Sequence, residues 1–310
     1  IAGRFAGENA LAAVGASYPV TMVFMAIAMG SNIGCSVVIS QLFGAREYGK
    51  VKTAVSTTVI ASTIISIVLS AIGILASTLI MNLINTPTNI FDDSKLYFNI
   101  YMLGFIFLFL YNVANGVFTS LGDSKTPLIF LIGSSIGNIF LDILFVAIFK
   151  WGVAGVAWAT FIAQGIACVL AMISLIIRIK TVDNEKTTEY FSFPMLARVT
   201  YIAVPSILQQ SFISIGNIFI QGRVNSFGSS VIAGYSAGVK LNTFALTSFT
   251  TIGNAMSTFA AQNVGAGKFD RVKQGLKTSL TFCFCIVVPF LIIFVAFGRQ
   301  ALGLFMTADS

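Results

Sequence analysis

Asn138 and Asp142 stand four residues apart inside Leu131–Phe149, LIGSSIGNIFLDILFVAIF, a nearly continuous apolar run of transmembrane length. On a helix, positions i and i+4 share a face, so an amide and a carboxylate point the same way about one turn apart. Ser134 extends that stripe by another turn. A carboxylate at the bilayer centre costs about 2.5–3.5 kcal/mol on insertion scales, so a leucine would serve better unless the charge has a use. Asp142 is also the only acidic residue well inside any apolar segment of the chain. The pattern points to the ion-coupling carboxylate of a secondary transporter. The competing role is a structural Asp that caps or hydrogen-bonds a neighbouring helix.

Other chemistries find little support. The chain has no histidine, which removes imidazole as base, metal ligand or pH switch. Cys35, Cys168, Cys283 and Cys285 all fall in apolar spans and show neither zinc spacing nor a disulfide framework, so they read as small buried apolar residues. No nucleophile–base pair or metal cluster is visible, so an enzyme is the least supported class and no cofactor is expected. Of the 310 residues, 56% are hydrophobic and only 9% are charged. A soluble domain carries about 25% charged residues. The apolar runs are roughly 20 to 30 residues long, which makes the spans helices rather than barrel strands. The expected fold class is therefore an all-α, polytopic membrane bundle.

Nine spans are expected, the first partial. Residues 1–6 read as the end of a helix, Gly7–Gly15 as a short connection, and spans follow at about 16–43, 53–84, 96–121, 131–149, 153–179, 194–225, 233–264 and 275–297. Pro205 and Pro289 fall inside spans and are expected to kink them. Residues 181–193 belong to the most polar stretch and make the best boundary, between an amino-terminal lobe at 1–180 and a carboxyl-terminal lobe at 194–310. The chain starts at Ile1 inside an element, with no signal peptide pattern, so a fragment is expected. Twelve of the 18 basic residues lie in the loops after spans two, four, six and eight. The positive-inside rule puts those loops in the cytoplasm of a multi-pass cell-membrane protein. Topology thus accounts for the net charge of +7 and leaves nucleic acid with little support.

An internal repeat refines this picture. Gln41-Leu-Phe-Gly-Ala-Arg-Glu-Tyr-Gly-Lys-Val-Lys52 and Gln262-Asn-Val-Gly-Ala-Gly-Lys-Phe-Asp-Arg-Val-Lys273 share Gln, Gly, Ala, Val and Lys at an offset of 221. Gly3-Arg4 and Gly222-Arg223 match at 219, each followed by a short connection, ALAAVG at 10–15 and SSVIAG at 229–234. Six spans separate the copies. An even number returns the chain to the same side, so the repeats are parallel, with two six-helix bundles and a substrate site between them; the second bundle is truncated here.

The sequence resembles the multidrug and toxic compound extrusion (MATE) family of antiporters, within the superfamily that also holds lipid-linked oligosaccharide flippases. The resemblance is carried by Gly7–Gly15, Gln41–Ala45, Gly122-Asp-Ser-Lys-Thr-Pro127, Asn138 with Asp142, and Gln262–Lys268. It covers the whole chain as helices one (partial) to nine of twelve. It implies a cation site in the amino-terminal lobe, with Asn138 and Asp142 as the helix-five pair, Thr160 at the matching place in helix six and Gln164 one turn on. It also implies a helix-one Asp that would precede Ile1.

Asp142, Asn138 and Thr160 offer oxygen ligands only, which suits Na⁺ or a proton rather than a transition metal. Polar stripes at helical spacing include Gln210 and Asn217 in span seven, Lys240 in span eight, and Asn112 and Asn115 in span four. They are candidates, with Gln164, for lining the central cleft, where Lys240 would respond to occupancy; interhelical hydrogen bonding and, for Lys240, snorkelling are the simpler uses. The 29 phenylalanines and nine methionines would suit flat lipophilic cations. The function expected is export of small organic, cationic compounds in exchange for Na⁺ or H⁺, by a monomer in the lipid bilayer. A flippase for a lipid-linked precursor is the alternative, and a non-transporting receptor or scaffold the alternative of another class.

Overall fold

The computed structural model describes residues 8–182, 189–225 and 229–303, with side-chain surroundings for most of them. Its elements are helices, with no strand among the described residues: α1 (Glu8–Gly44), α2 (Tyr48–Leu75), α3 (Ser77–Leu83), α4 (Phe91–Ser120), α5 (Lys125–Asp142), α6 (Gly152–Thr181), α7 (Phe193–Asn225), α8 (Ser229–Gly265) and α9 (Phe269–Gly303). A short 3₁₀ turn, Thr88–Ile90, precedes α4, and α5 continues directly into a π-helix, Ile143–Ile148. Six of these are long and apolar enough to cross a membrane: α1, α2, α4 with its 3₁₀ turn, α5 with its π segment, α6 and α9. In hydrocarbon a helix satisfies its own backbone, which is why apolar runs of this length fold this way. The chain is a multi-pass helical membrane protein.

Backbone packing groups the chain into two compact units, Ile1–Phe43 with Glu47–Ser214, and Gly44–Arg46 with Ile215–Ser310. Helix α4 is the hub of the first. Phe98, Phe105, Phe109 and Phe118 on α4 are fully buried, and Phe24 of α1 packs edge-on to Phe105 with centroids 5.6 Å apart. Hydroxyls tie the neighbours to it. Ser70 of α2 donates to the Met102 carbonyl at 2.6 Å, Ser17 of α1 to the Ser94 carbonyl at 3.1 Å, and Ser120 of α4 to the Ser36 carbonyl of α1 at 2.9 Å. Tyr111 of α4 reaches the Pro127 carbonyl of α5 at 2.9 Å.

Helix α7 meets α1 along a seam of small residues. A Cβ on Gly34 would lie 2.8 Å from the Ala203 backbone, and one on Gly30 would lie 2.6 Å from the Ile207 backbone. Small residues four apart let two membrane helices approach this closely. Three turns of chain nearer the α1 terminus, Arg198 Nη2 donates to Gln41 Oε1 at 2.7 Å. In the second unit, α8 packs on α9, with Gly275 set against the Phe259 ring. There Gly44 abuts the Gln262 carbonyl, so the two copies of the repeated Gln-x-x-Gly motif meet where Gly44 has no room for a side chain.

Three sequence expectations are corrected. Gly7–Gly15, read as a connection, is helical from Glu8 onward as the start of α1. Its Ala- and Leu-rich composition favours helix, and nothing in it stops one. The matching stretch SSVIAG opens α8 in the same way. The third span, read as continuous to residue 84, breaks at Ala76, whose N–H bonds back to the Ile72 carbonyl before α3 begins. Pro205 and Pro289 fall inside α7 and α9, as the spans predict, and both helices continue past them. The segment expected at residues 1–6 lies outside the described residues.

The Gly122–Pro127 motif is a helix start. Gly122 turns the chain at φ 81°, and the Asp123 carboxylate accepts from the backbone N–H groups of Lys125 and Thr126 and from the Thr126 hydroxyl at 2.7 Å. Burial pushes the Asp123 carboxyl up, but those hydrogen bonds and the charge of Arg178 outweigh it and hold it below the usual carboxylate range. A group with a lowered folded pKa stabilises at pH above its unfolded value and stops doing so as pH falls through the folded one. Asp123→Ala should therefore cost about 1 kcal/mol near neutral pH, read as a lower unfolding midpoint in detergent, and the gap from wild type should close on acidification. Gly34→Val should force α1 and α7 apart and cost roughly 1–3 kcal/mol by the same assay, while the exposed Gly133→Ala should be near neutral.

Candidate cation site between the fifth and sixth spans

Helix α5 separates its residues by face. Ile132, Ile136, Ile139 and Phe140 are exposed, as lipid-facing side chains are, whereas Ser134, Asn138 and Asp142 are half-buried on the opposite side. That side packs on α6. Ser134 donates to the Ala163 carbonyl at 3.2 Å, and Asn138 Nδ2 approaches Thr160 Oγ1 at 3.5 Å. The Thr160 hydroxyl itself donates to the Val156 carbonyl one turn back, at 3.0 Å. Its oxygen can therefore only accept from other groups. Asn138 spends its amide nitrogen on Thr160, which leaves its carbonyl oxygen as an acceptor.

Asp142 ends the α-helical part of the span. Its Oδ1 is buried and has no hydrogen-bond partner among the described residues. Buried polar atoms are paired in the great majority of cases, and an exception needs a reason. The set here is a carboxylate oxygen without a partner, an amide carbonyl and a threonine hydroxyl oxygen. Such a set can take a small hard cation or a proton, and it offers nothing to a soft metal.

The structure adds two tyrosines that the sequence reading left unnamed. Tyr97 of α4 lies within electrostatic reach of Asp142, and Tyr101, one turn further on, is near Tyr97. Together with Gly104 of α4 and Thr160, Phe161 and Gln164 of α6 they line a small cavity of about 10 Å³, room for about one water molecule. The Tyr101 hydroxyl is buried and has no hydrogen-bond partner among the described residues. Thr160 belongs both to this cavity and to the Asn138 contact, so cavity and polar pair adjoin. The available signal was the Tyr pair at i and i+4 in a phenylalanine-rich span, since a buried tyrosine hydroxyl needs a partner that phenylalanine does not.

The remaining candidates are dispersed. Gln164 lines the cavity. Asn112 donates to the Leu108 carbonyl within its own helix at 2.8 Å, and the Asn115 carbonyl accepts from Thr119 at 2.9 Å; neither residue lines that cavity. Gln210 belongs to the first compact unit and is half-buried, and Asn217 belongs to the second and is exposed. The side chain of Lys240 lies outside the described residues.

Comparison with known proteins agrees with this architecture. The MatE family model matches residues 1–144 and 205–310. The probable multidrug resistance protein YoeA of Bacillus subtilis (strain 168) is 30% identical over 98% of this chain and 67% of its own length. The FAD transporter of Shewanella oneidensis is 27% identical over 98% of this chain and 68% of its own. Among solved structures, a MOP superfamily transporter from Pyrococcus furiosus superposes with a TM-score of 0.88 at 21% identity, over 99% of this chain and 69% of that one, which establishes the shared fold. Helical membrane architecture, repeated motifs and family match converge: the chain belongs to the MatE family, the multidrug and toxic compound extrusion transporters, and is a transporter rather than an enzyme.

Proposed function

We propose that the protein is a secondary antiporter that exports small organic cations, and that Asp142, with Asn138 and Thr160, is where Na⁺ or H⁺ couples to that export. The observation that carries the reading is the buried Asp142 oxygen without a partner among the described residues, beside the Asn138 amide, whose carbonyl oxygen is left as an acceptor, and the Thr160 hydroxyl, whose oxygen can only accept. An incoming cation neutralises the carboxylate; when the ion leaves, the carboxylate must find another partner, and the two occupancies favour different arrangements of the helices. One charge entering through 100 mV releases about 2.3 kcal/mol, enough to drive such an exchange. Multidrug relatives such as YoeA support organic substrates.

A second reading comes from the relative that is an FAD transporter, since an anionic nucleotide would need basic residues in its path. Lys240 is the candidate in that case. A monomer in the bilayer suffices for either reading.

The test is dye efflux by the full-length protein in vesicles with an imposed Na⁺ or proton gradient. Asp142→Asn should abolish gradient-driven efflux, and efflux unchanged in that variant would end the assignment. Thr160→Val, which removes one oxygen and keeps the shape, should raise the half-saturating concentration of the coupling ion about tenfold, equivalent to about 1.4 kcal/mol. Replacing the Na⁺ gradient by a proton gradient in wild-type vesicles identifies the ion.

A further inference from the structure

Immediately after Asp142, α5 stops being an α-helix. Ile143–Ile148 is a π-helix, and the Phe149 N–H donates to the Leu144 carbonyl, five residues back, at 2.9 Å. Each π turn holds about one residue more than an α turn, so it offsets the two flanking segments by roughly 100° in helical phase. The face on which Asp142 appears, measured from the outer end of the span, is therefore set by this segment. Wide turns of this kind are scarce and concentrate at functional sites.

Three rings hold the segment in place. Trp151 stacks on Phe145 with centroids 4.9 Å apart at 27°, Phe149 lies 6.0 Å from Phe145 at 23°, and Phe149 and Trp151 are 5.6 Å apart. The Trp151 N–H donates to the Phe145 carbonyl at 2.9 Å. Lys150 and Gly152, at φ 57° and 56°, fold the chain back so that the indole reaches Phe145. Gly155 of α6 closes the arrangement from the other side, since a Cβ there would lie 3.2 Å from the Phe145 carbonyl carbon and oxygen and from the Trp151 Cβ. Phe145 and Val146 are 8% and 1% exposed, while Ile143 and Ile148 on either side are 43% and 63% exposed, so the segment is pinned on one face only.

We propose that this aromatic clasp, Phe145, Phe149 and Trp151 seated on Gly155, is a positioning device that fixes the phase of the fifth span so that its Asn138–Asp142 face meets Thr160 of α6, and that it thereby sets the affinity for the coupling ion. Trp151 and Gly155 are positioning residues and touch no ion. The proposal rests on the antiport reading above and deepens it. Loosening the clasp lets the π segment rewind, which turns Asp142 away from Thr160 without removing any ion ligand.

The experiment uses the full-length protein in vesicles and measures gradient-driven efflux against the concentration of Na⁺ and against pH. Trp151→Ala and Gly155→Val should raise the half-saturating ion concentration about tenfold, with the maximal rate within about twofold of wild type. Trp151→Phe, which keeps a stacking ring, should stay near wild type. Deleting Ala147, which removes the extra residue, should reproduce the Trp151→Ala shift. Gly155→Ala asks its neighbours to move only slightly, so it remains readable if larger changes impair insertion, and its half-saturation should rise two- to threefold. Wild-type half-saturation in Trp151→Ala or Gly155→Ala, with Asp142→Asn inactive, overturns the clasp and leaves the antiport reading standing. Gradient-driven efflux that survives Asp142→Asn overturns both.

Discussion

Inside hydrocarbon there is no water to complete a polar group, so a polar group in a membrane helix calls for a protein partner or for something that arrives. Many serine and threonine hydroxyls among the described residues follow the first course. They bond back to a carbonyl three or four residues earlier, as Thr58, Thr63 and Thr160 do, or cross to a neighbouring helix, as Ser70, Ser120 and Ser134 do. Against that background the Asp142 oxygen is conspicuous, because a carboxylate has no donor of its own with which to bond its helix. The packing of α4, α5 and α6 surrounds it, and the Tyr101 hydroxyl of α4 is likewise buried without a partner among the described residues.

Much of this was legible in the sequence. Hydrophobic length and the distribution of lysine and arginine specify a polytopic bundle, and the four-residue spacing of Asn138 and Asp142 places both on one helical face. Less legible was anything that depended on small departures from helical regularity. A π turn leaves no signature in composition, since Ile143–Ile148 is as apolar as the α-helix before it. The break at Ala76 is equally silent, and the Ala-rich start of α1 resembled a connection because its neighbours in the repeat also end in glycine. Tyr97 and Tyr101 were hidden for a different reason: among 29 phenylalanines they read as two more apolar rings, although their hydroxyls set them apart.

The polar stripes of α7 and α8 teach a related lesson. Ser214 bonds the Gln210 carbonyl, Thr243 that of Val239, and Thr247 that of Thr243, each within its own helix. A row of hydroxyls at helical spacing satisfies itself and demands no cleft. Amides and carboxylates cannot do this as readily. A stripe built from them, such as Asn138 and Asp142, is the stronger indication that something lies opposite. Residue chemistry, and not periodicity alone, separates the two cases.

The seam of Gly30 and Gly34 against Ile207 and Ala203 has a bearing on how force would pass through the molecule. Helix α7 follows the most polar part of the chain, where a reader would place a division, yet by packing its first two-thirds travel with the helices before that division. Peptide connectivity and mechanical connectivity part company there. Within the first compact unit, the part of α7 up to Ser214 is held to α1 by direct backbone approach at Gly30 and Gly34, so a pull on it is felt by α1 at once.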